Sequence, residues 1–170
     1  MTHPHHLPSP DAPSQQAQTP SEQMGWLLDR FVDRTSGVTH AVLLSMDGLV
    51  LLSSTAVNRD WADRLSASFA GLASMGAGVP GPDDTCLPTS QIVIERADTL
   101  VFIMVAGQGQ RAAFSHQGET RGTVDTVLGV LADPGADAGT VGFQMGHLIR
   151  QFAGIMQTPV RTGGARADIR

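Results

Sequence analysis

The sequence predicts an α+β domain in which a β-sheet is covered by helices on both faces, with elements in the order α-β-β-α-β-β-β-α. Three observations carry this. Between Gly37 and Ser54 two apolar runs are joined by Asp47-Gly48, a strong short-range hairpin signal because Asp-Gly suits the positive φ values of a type I′ turn. Neither run alternates, since Ala41-Val42-Leu43-Leu44 and Leu49-Val50-Leu51-Leu52 place bulky apolar groups on both faces of a strand, and such a sheet needs cover on both sides. Amphipathic helical patterns lie on either side of the hairpin, and another closes the chain.

The first helix follows Pro20, with Ser21 as its expected cap and Met24, Leu27, Leu28, Phe31 and Val32 at i, i+3, i+4, i+7 and i+8. Gly37 ends it and the hairpin follows. Asn58 or Asp60 is expected to cap a second helix running to about Gly76, with an inward stripe of Ala62, Leu65, Phe69, Leu72 and Ala73. The Gly/Pro/Asp-rich stretch Gly76–Pro88 breaks the chain. Strands are predicted at Gln91–Glu95 and Leu100–Ala106 around an Ala97-Asp98 turn, and at Thr126–Ala132. The last helix starts near Asp137 and carries Val141, Met145, Leu148, Phe152 and Ile155 on one face.

At 170 residues the chain suits one domain with tails. Residues 1–20 hold five of the ten prolines and little to bury, so a disordered tail is expected, and Thr158–Arg170 reads as a second flexible one. His3, His5 and His6 lack a Cys or carboxylate partner, so no metal site is expected there. The net charge of −5 and the scattered arginines argue against a nucleic-acid partner. All eleven basic residues are Arg, which points to a GC-rich, actinobacterial genome. A single cysteine, Cys86, excludes an intrachain disulfide, and no apolar stretch is long enough to span a bilayer. A cytoplasmic protein without direct membrane insertion or a signal peptide is expected.

Four ordered segments resemble the roadblock/dynein light chain family, in particular actinobacterial members encoded in conservon operons beside a Ras-like GTPase. They are Trp26–Val32, Gly37–Leu49, Arg64–Met75 and Leu131–Met145, within a resemblance spanning Met24 to Gln157. The resemblance implies a three-layer α/β/α fold: a five-stranded, mainly antiparallel sheet with the first and last helices on one face and the middle helix on the other. It also implies a homodimer joined through the third strand, at Gln91, Ile92, Val93, Ile94 and Glu95, with the middle helices brought together. Pairing would also protect an apolar edge strand from uncontrolled association. One departure is Gly107–Thr123, a longer link between the fourth and fifth strands than relatives usually have. A loop this long is either mobile or a partner contact through Arg111, Phe114, His116 or Arg121.

Catalytic chemistry is not legible. Ser45, Asp47 and His40 lie close in sequence, but Asp47 is explained by the turn, and Gly107-Gln108-Gly109 lacks the remainder of a phosphate loop. No enzyme activity, cofactor or metal is therefore expected. The outer face of the middle helix carries Trp61, Arg64, Ala67, Ser68, Gly71, Ser74 and Met75, an interface-like mixture. Gly71, Ser74 and Met75 are assigned to the dimer contact, and Trp61, Arg64 and Ser68 to a partner.

The leading expectation is a non-enzymatic homodimeric regulatory scaffold for a small Ras-like GTPase, within a sensor histidine kinase assembly that recruits it to the membrane. The alternatives are a GTPase-activating protein using Arg59, Arg64 or Arg121, and a small-ligand sensor. The last needs a cavity with converging polar groups, and the apolar strand faces give no sign of one.

Overall fold

The computed structural model describes residues 18–114 and 122–157, so the expectations for the remaining tail residues, His116 and Arg121 lie outside the described residues. Helix α1 (Pro20–Arg34) begins with a reciprocal capping box: the Glu22 N–H donates to the Thr19 hydroxyl and the Thr19 N–H donates to the Glu22 carboxylate at 2.8 Å. Thr19 is thus the cap in place of Ser21, which is buried in the first turn, and the cap falls inside the segment predicted as tail. Pro20 fits here because the first helical position needs no N–H donor.

Strands β1 (Val38–Ser45) and β2 (Val50–Ser53) form the expected hairpin, but not through a two-residue type I′ turn. Such a turn needs positive φ at both central residues, and Gly48 has φ +86° while Asp47 does not. The Gly48 N–H donates to the Ser45 carbonyl at 2.9 Å and the Leu49 N–H to the Ser45 hydroxyl at 3.0 Å. The loop is therefore the three residues Met46–Gly48, with Gly48 alone in the left-handed region and the Ser45 hydroxyl donating to Asp47.

Helix α2 (Arg59–Ala77) is capped by Asn58, whose side-chain oxygen accepts from the Trp61 N–H at 3.0 Å. Next come β3 (Gln91–Glu95), β4 (Leu100–Gln110), a 3₁₀ turn at Arg111–Ala113 and β5 (Thr123–Ala132). Helix α3 (Ala138–Met156) is capped by Asp137, held below the usual carboxylate range by its hydrogen bond from Thr140. Both β4 and β5 outrun their predicted limits. Gly107–Gln110 pairs with Thr126–Thr123, so both ends of the predicted Gly107–Thr123 loop are strand and the link shrinks to residues 111–122. The glycines there serve packing and bending. Gly107, at φ +85°, sits at a register shift, and a Cβ on Gly109 would lie 2.9 Å from the Phe114 ring and 3.0 Å from Met156 Sδ.

The five strands form one antiparallel sheet in the order β2-β1-β5-β4-β3. Helices α1 and α3 cover one face and α2 the other, with a separate apolar core beneath each layer. The larger core includes Met24, Leu28, Phe102, Met145 and Phe152, all fully buried. On the α2 face the predicted inward stripe is rotated: Ser66 and Ala70 are buried, while Leu65 and Leu72 are only half-buried at the helix flank. The cause is close approach. Phe69 lies directly over Gly129 of β5, where a Cβ would overlap the Phe69 ring, and beneath a helix this near the sheet the small Ala62, Ser66, Ala70 and Ala73 fit where leucine would not.

Candidate interaction surface

Strand β3 pairs with β4 alone, in the register Gln91↔Met104 to Glu95↔Leu100, so its outer backbone edge has no partner among the described residues. Alternation along the strand sends Ile92 and Ile94 into the α2 core. Gln91 instead meets α3, where its side chain lies 3.1 Å from the position a Gly142 Cβ would take. Val93 is 47% exposed and Glu95 is exposed, leaving an apolar side chain on an open edge.

The outer face of α2 adjoins this edge. Gly76 lies over Ile92, with 2.7 Å between its would-be Cβ and Ile92 Cδ1, which fixes the end of the helix above β3. Gly71, Ser74 and Met75 are exposed, Met75 at 71%, and a Cβ on Gly71 would meet nothing within 4 Å. Packing among the described residues therefore gives no reason for a glycine at 71. Val79 and Leu87, in the connection from α2 to β3, are also largely exposed and enlarge the apolar area at this end.

Toward the start of α2 the surface changes character. Arg64 and Ser68 are exposed, and the Ser68 hydroxyl donates to the Arg64 carbonyl at 2.9 Å. Trp61 is half-buried and meets the His40 ring edge-on with 4.5 Å between centroids. His40 Nδ1 lies 2.9 Å from the Thr39 hydroxyl, and burial lowers the pKa of His40. Ser45, Asp47 and His40 do not assemble into a triad: Ser45 and Asp47 bond each other at the hairpin, while His40 sits five residues back along β1 against Trp61.

Beside Trp61 the structure also opens a groove of about 590 Å³ that the apolar strand patterns did not foreshadow. Leu65, Leu72 and Ile94 give it apolar walls, and Arg96, Asp98, Thr99 and Asp133 bring polar groups to its rim. It exists because the rotation of α2 leaves Leu65 and Leu72 at the flank rather than filling the core. Arg96 and Asp98 are mutually paired at 2.9 Å, the one ion pair among the described residues, and the Arg96 hydrogen bond holds Asp98 below its ordinary pKa. Of the loop residues singled out in the sequence, Arg111 is exposed, and Phe114 packs half-buried against the core rather than standing free. No group of three or more His, Cys, Asp or Glu side chains among the described residues could hold a metal, and no described helix is long and apolar enough to cross a membrane.

Comparison with known proteins converges on one fold. The Roadblock/LC7 domain family matches residues 24–110. The chain is similar to a roadblock/LC7 domain from Streptomyces avermitilis, with 33% identity over 79% of this chain and 98% of that one and a TM-score of 0.61. The fold is also that of the gliding protein MglB from Thermus thermophilus, at 18% identity over 82% of this chain and 93% of that one, with a TM-score of 0.62. An MglB in a tetrameric arrangement gives 17% identity over 82% and 92% of the two chains, with a TM-score of 0.63. No curated protein sequence matches the chain. A matching family over half the chain and a 33% identical relative spanned almost end to end agree with the antiparallel sheet and its two helical layers: the chain belongs to the roadblock/LC7 family.

Proposed function

We propose that the protein is a non-enzymatic regulatory scaffold: a homodimer that binds a small Ras-like GTPase in a bacterial signalling assembly. The observation that carries this reading is the continuous exposed surface made by the β3 edge and the outer face of α2. There an apolar edge residue, Val93, and a helical glycine with open space around it, Gly71, have no packing role among the described residues. Two copies would join their β3 edges at Gln91–Glu95 and bring Gly71, Ser74 and Met75 together, since small residues let helices approach closely. Trp61, Arg64 and Ser68 then remain for the GTPase. The folded unit would run from the Thr19 cap, just ahead of the expected start at residue 21, to residue 157. The conservon-type resemblance supports a setting beside a sensor histidine kinase, with the scaffold cytoplasmic and recruited to the membrane by partners. The 33% identical Streptomyces relative supports an actinobacterial source.

The test is binding and single-turnover hydrolysis with the cognate small Ras-like GTPase. Trp61→Ala and Arg64→Ala should each weaken binding by about 2 kcal/mol, roughly thirtyfold, because aromatic and Arg anchors dominate interfaces of this kind. Hydrolysis should change little. An acceleration of about a hundredfold, equivalent to nearly 3 kcal/mol, would make the protein a GTPase activator, and its loss on changing Arg59 or Arg64 would identify the group supplied. The groove beside Trp61 favours one further reading, a small-ligand sensor, which saturable small-molecule binding without any GTPase affinity would support.

A further inference from the structure

The opposite face of the molecule carries a second groove, of about 300 Å³, between α1 and α3. The end of α1 lies beside the start of α3, because the Asp133 N–H donates to the Gly37 carbonyl at 2.8 Å and Ala136 packs against Gly37. The two helices therefore run antiparallel, and the groove follows them for roughly 12 Å, from Leu27 to Thr35 at 1.5 Å per residue. Its floor is apolar: Phe31 and Leu148 are buried and Leu27 is half-buried. Its rim is cationic or neutral, formed by Arg30, Arg34 and His147 together with Gln144 and Gln151.

The charge on this face runs against that of the whole chain. Helix α3 contains no Asp or Glu, and none of the three acids of α1 lines the groove. Glu22 accepts from the Thr19 N–H at the N-terminal cap, Asp29 is turned toward the end of β2, where it accepts from the Thr55 N–H at 2.7 Å and the Thr55 hydroxyl at 2.9 Å, and Asp33 is exposed outside the lining. Neither Arg30 nor Arg34 has an ion-pair partner among the described residues. Arg34 gains from lying at the negative end of the α1 dipole. Arg30 instead stacks on an exposed ring, with its guanidinium carbon 5.0 Å from the centroid of Trp26. Trp26 is 56% exposed and Phe143, on the facing helix, is 69% exposed. Trp26, Arg30 and Arg34 recur every four residues on α1, as do Phe143, His147 and Gln151 on α3, so each helix presents an aromatic followed by polar donors along one stripe.

We propose that this groove is a docking site for an acidic amphipathic segment of a partner protein, whose carboxylates bond Arg30 and Arg34 while its apolar side chains cover Leu27, Phe31 and Leu148. Arginine forks favour carboxylates in paired hydrogen bonds, and aromatic residues flanking an apolar floor are the anchors such segments use. The chain's own ends do not supply the complement. Residues 1–17 contain one acidic side chain, Asp11, and residues 158–170 contain one, Asp168, against three arginines. The site is separate from the α2 and β3 surface and stands whether or not a GTPase binds there.

The test is selection of random twelve-residue peptides, displayed on phage, against the full-length protein. Enriched peptides should carry more Asp and Glu than the input library, interleaved with apolar residues. In a Trp61→Phe background, which leaves Trp26 as the one indole, they should alter its fluorescence on binding. Their affinity should fall at least tenfold in Arg30→Glu/Arg34→Glu and fall also as salt is raised, while Arg150→Glu, on the same helix layer but outside the groove, leaves it unchanged. Arg30→Gln/Arg34→Gln should show the same loss with native circular dichroism, which separates lost binding from lost folding. Selection without acidic enrichment, or acidic peptides that bind the double variants as well as the wild type, would overturn the proposal. Self-association abolished by the same variants would make the occupant a second copy and would overturn it equally.

Discussion

At the scale of single residues, the positions that matter most are those where another atom has taken the space a side chain would need. Gly129 is the clearest. It lies in the middle of β5, between Leu128 and Val130, and the Phe69 ring occupies the place of its Cβ. A glycine inside an apolar strand signals close approach of something, but the sequence does not say of what. Gly129→Ala should cost about 2–3 kcal/mol by overpacking, and Phe69→Leu should recover part of that loss in the double variant. Chemical denaturation of the four proteins measures the coupling, and additive costs would show that Phe69 is not the obstacle. Ser66 illustrates the opposite limit of sequence reading. It is fully buried with no hydrogen-bond partner for its hydroxyl among the described residues, although serine is ordinarily a surface residue. It is small, and its position under a helix pressed close to the sheet selects size over polarity.

Among the elements, those with long periodic patterns were legible and those set by neighbours were not. The α3 stripe of Val141, Met145, Leu148 and Phe152 is buried as its spacing predicts, because one amphipathic face has one place to go, but at its end Met156 takes the buried place and the predicted Ile155 is half-buried. The β1–β2 hairpin was legible in position but not in turn type, since the Ser45 hydroxyl takes the Leu49 N–H that a type I′ turn over Asp47-Gly48 would give to the Met46 carbonyl. The far ends of β4 and β5 were lost because Gly-Gln-Gly-Gln has the composition of a loop, while its pairing with Thr123–Thr126 comes from the strand opposite. For α2 the sequence located the exposed face but misplaced the buried one by part of a turn, and with it the groove beside Trp61. That outer face carries the element's own prediction. A Cβ on Gly71 would meet only open space, so Gly71→Leu should raise the helix's intrinsic stability by about 1 kcal/mol. In the proposed dimer the same side chain would hold the two α2 helices apart, so dissociation should become easier while each chain folds as well or better. Gly71→Leu strengthening self-association would place the helix contact elsewhere.

For the whole molecule, the sheet order β2-β1-β5-β4-β3 leaves two edges with different protection. Strand β2 is four residues long, half-buried throughout and touched by both α1 and α2. Strand β3 is longer, has an exposed Val93, and borders the exposed end of α2, so it is the edge that remains open to another strand. Its location was legible in the sequence as an apolar run. That it is an edge follows from the way β5 inserts between β1 and β4, a long-range pairing no local pattern reveals. The account therefore rests on a second copy covering β3 and α2, which mass measurement tests most directly. Light scattering on the full-length protein at micromolar concentration should give twice the chain mass. Val93→Pro, which removes an edge N–H and cannot extend a ladder, should shift it toward the single-chain value. A wild-type protein that stays at the single-chain mass, or a dimer that Val93→Pro leaves intact, would contradict the account.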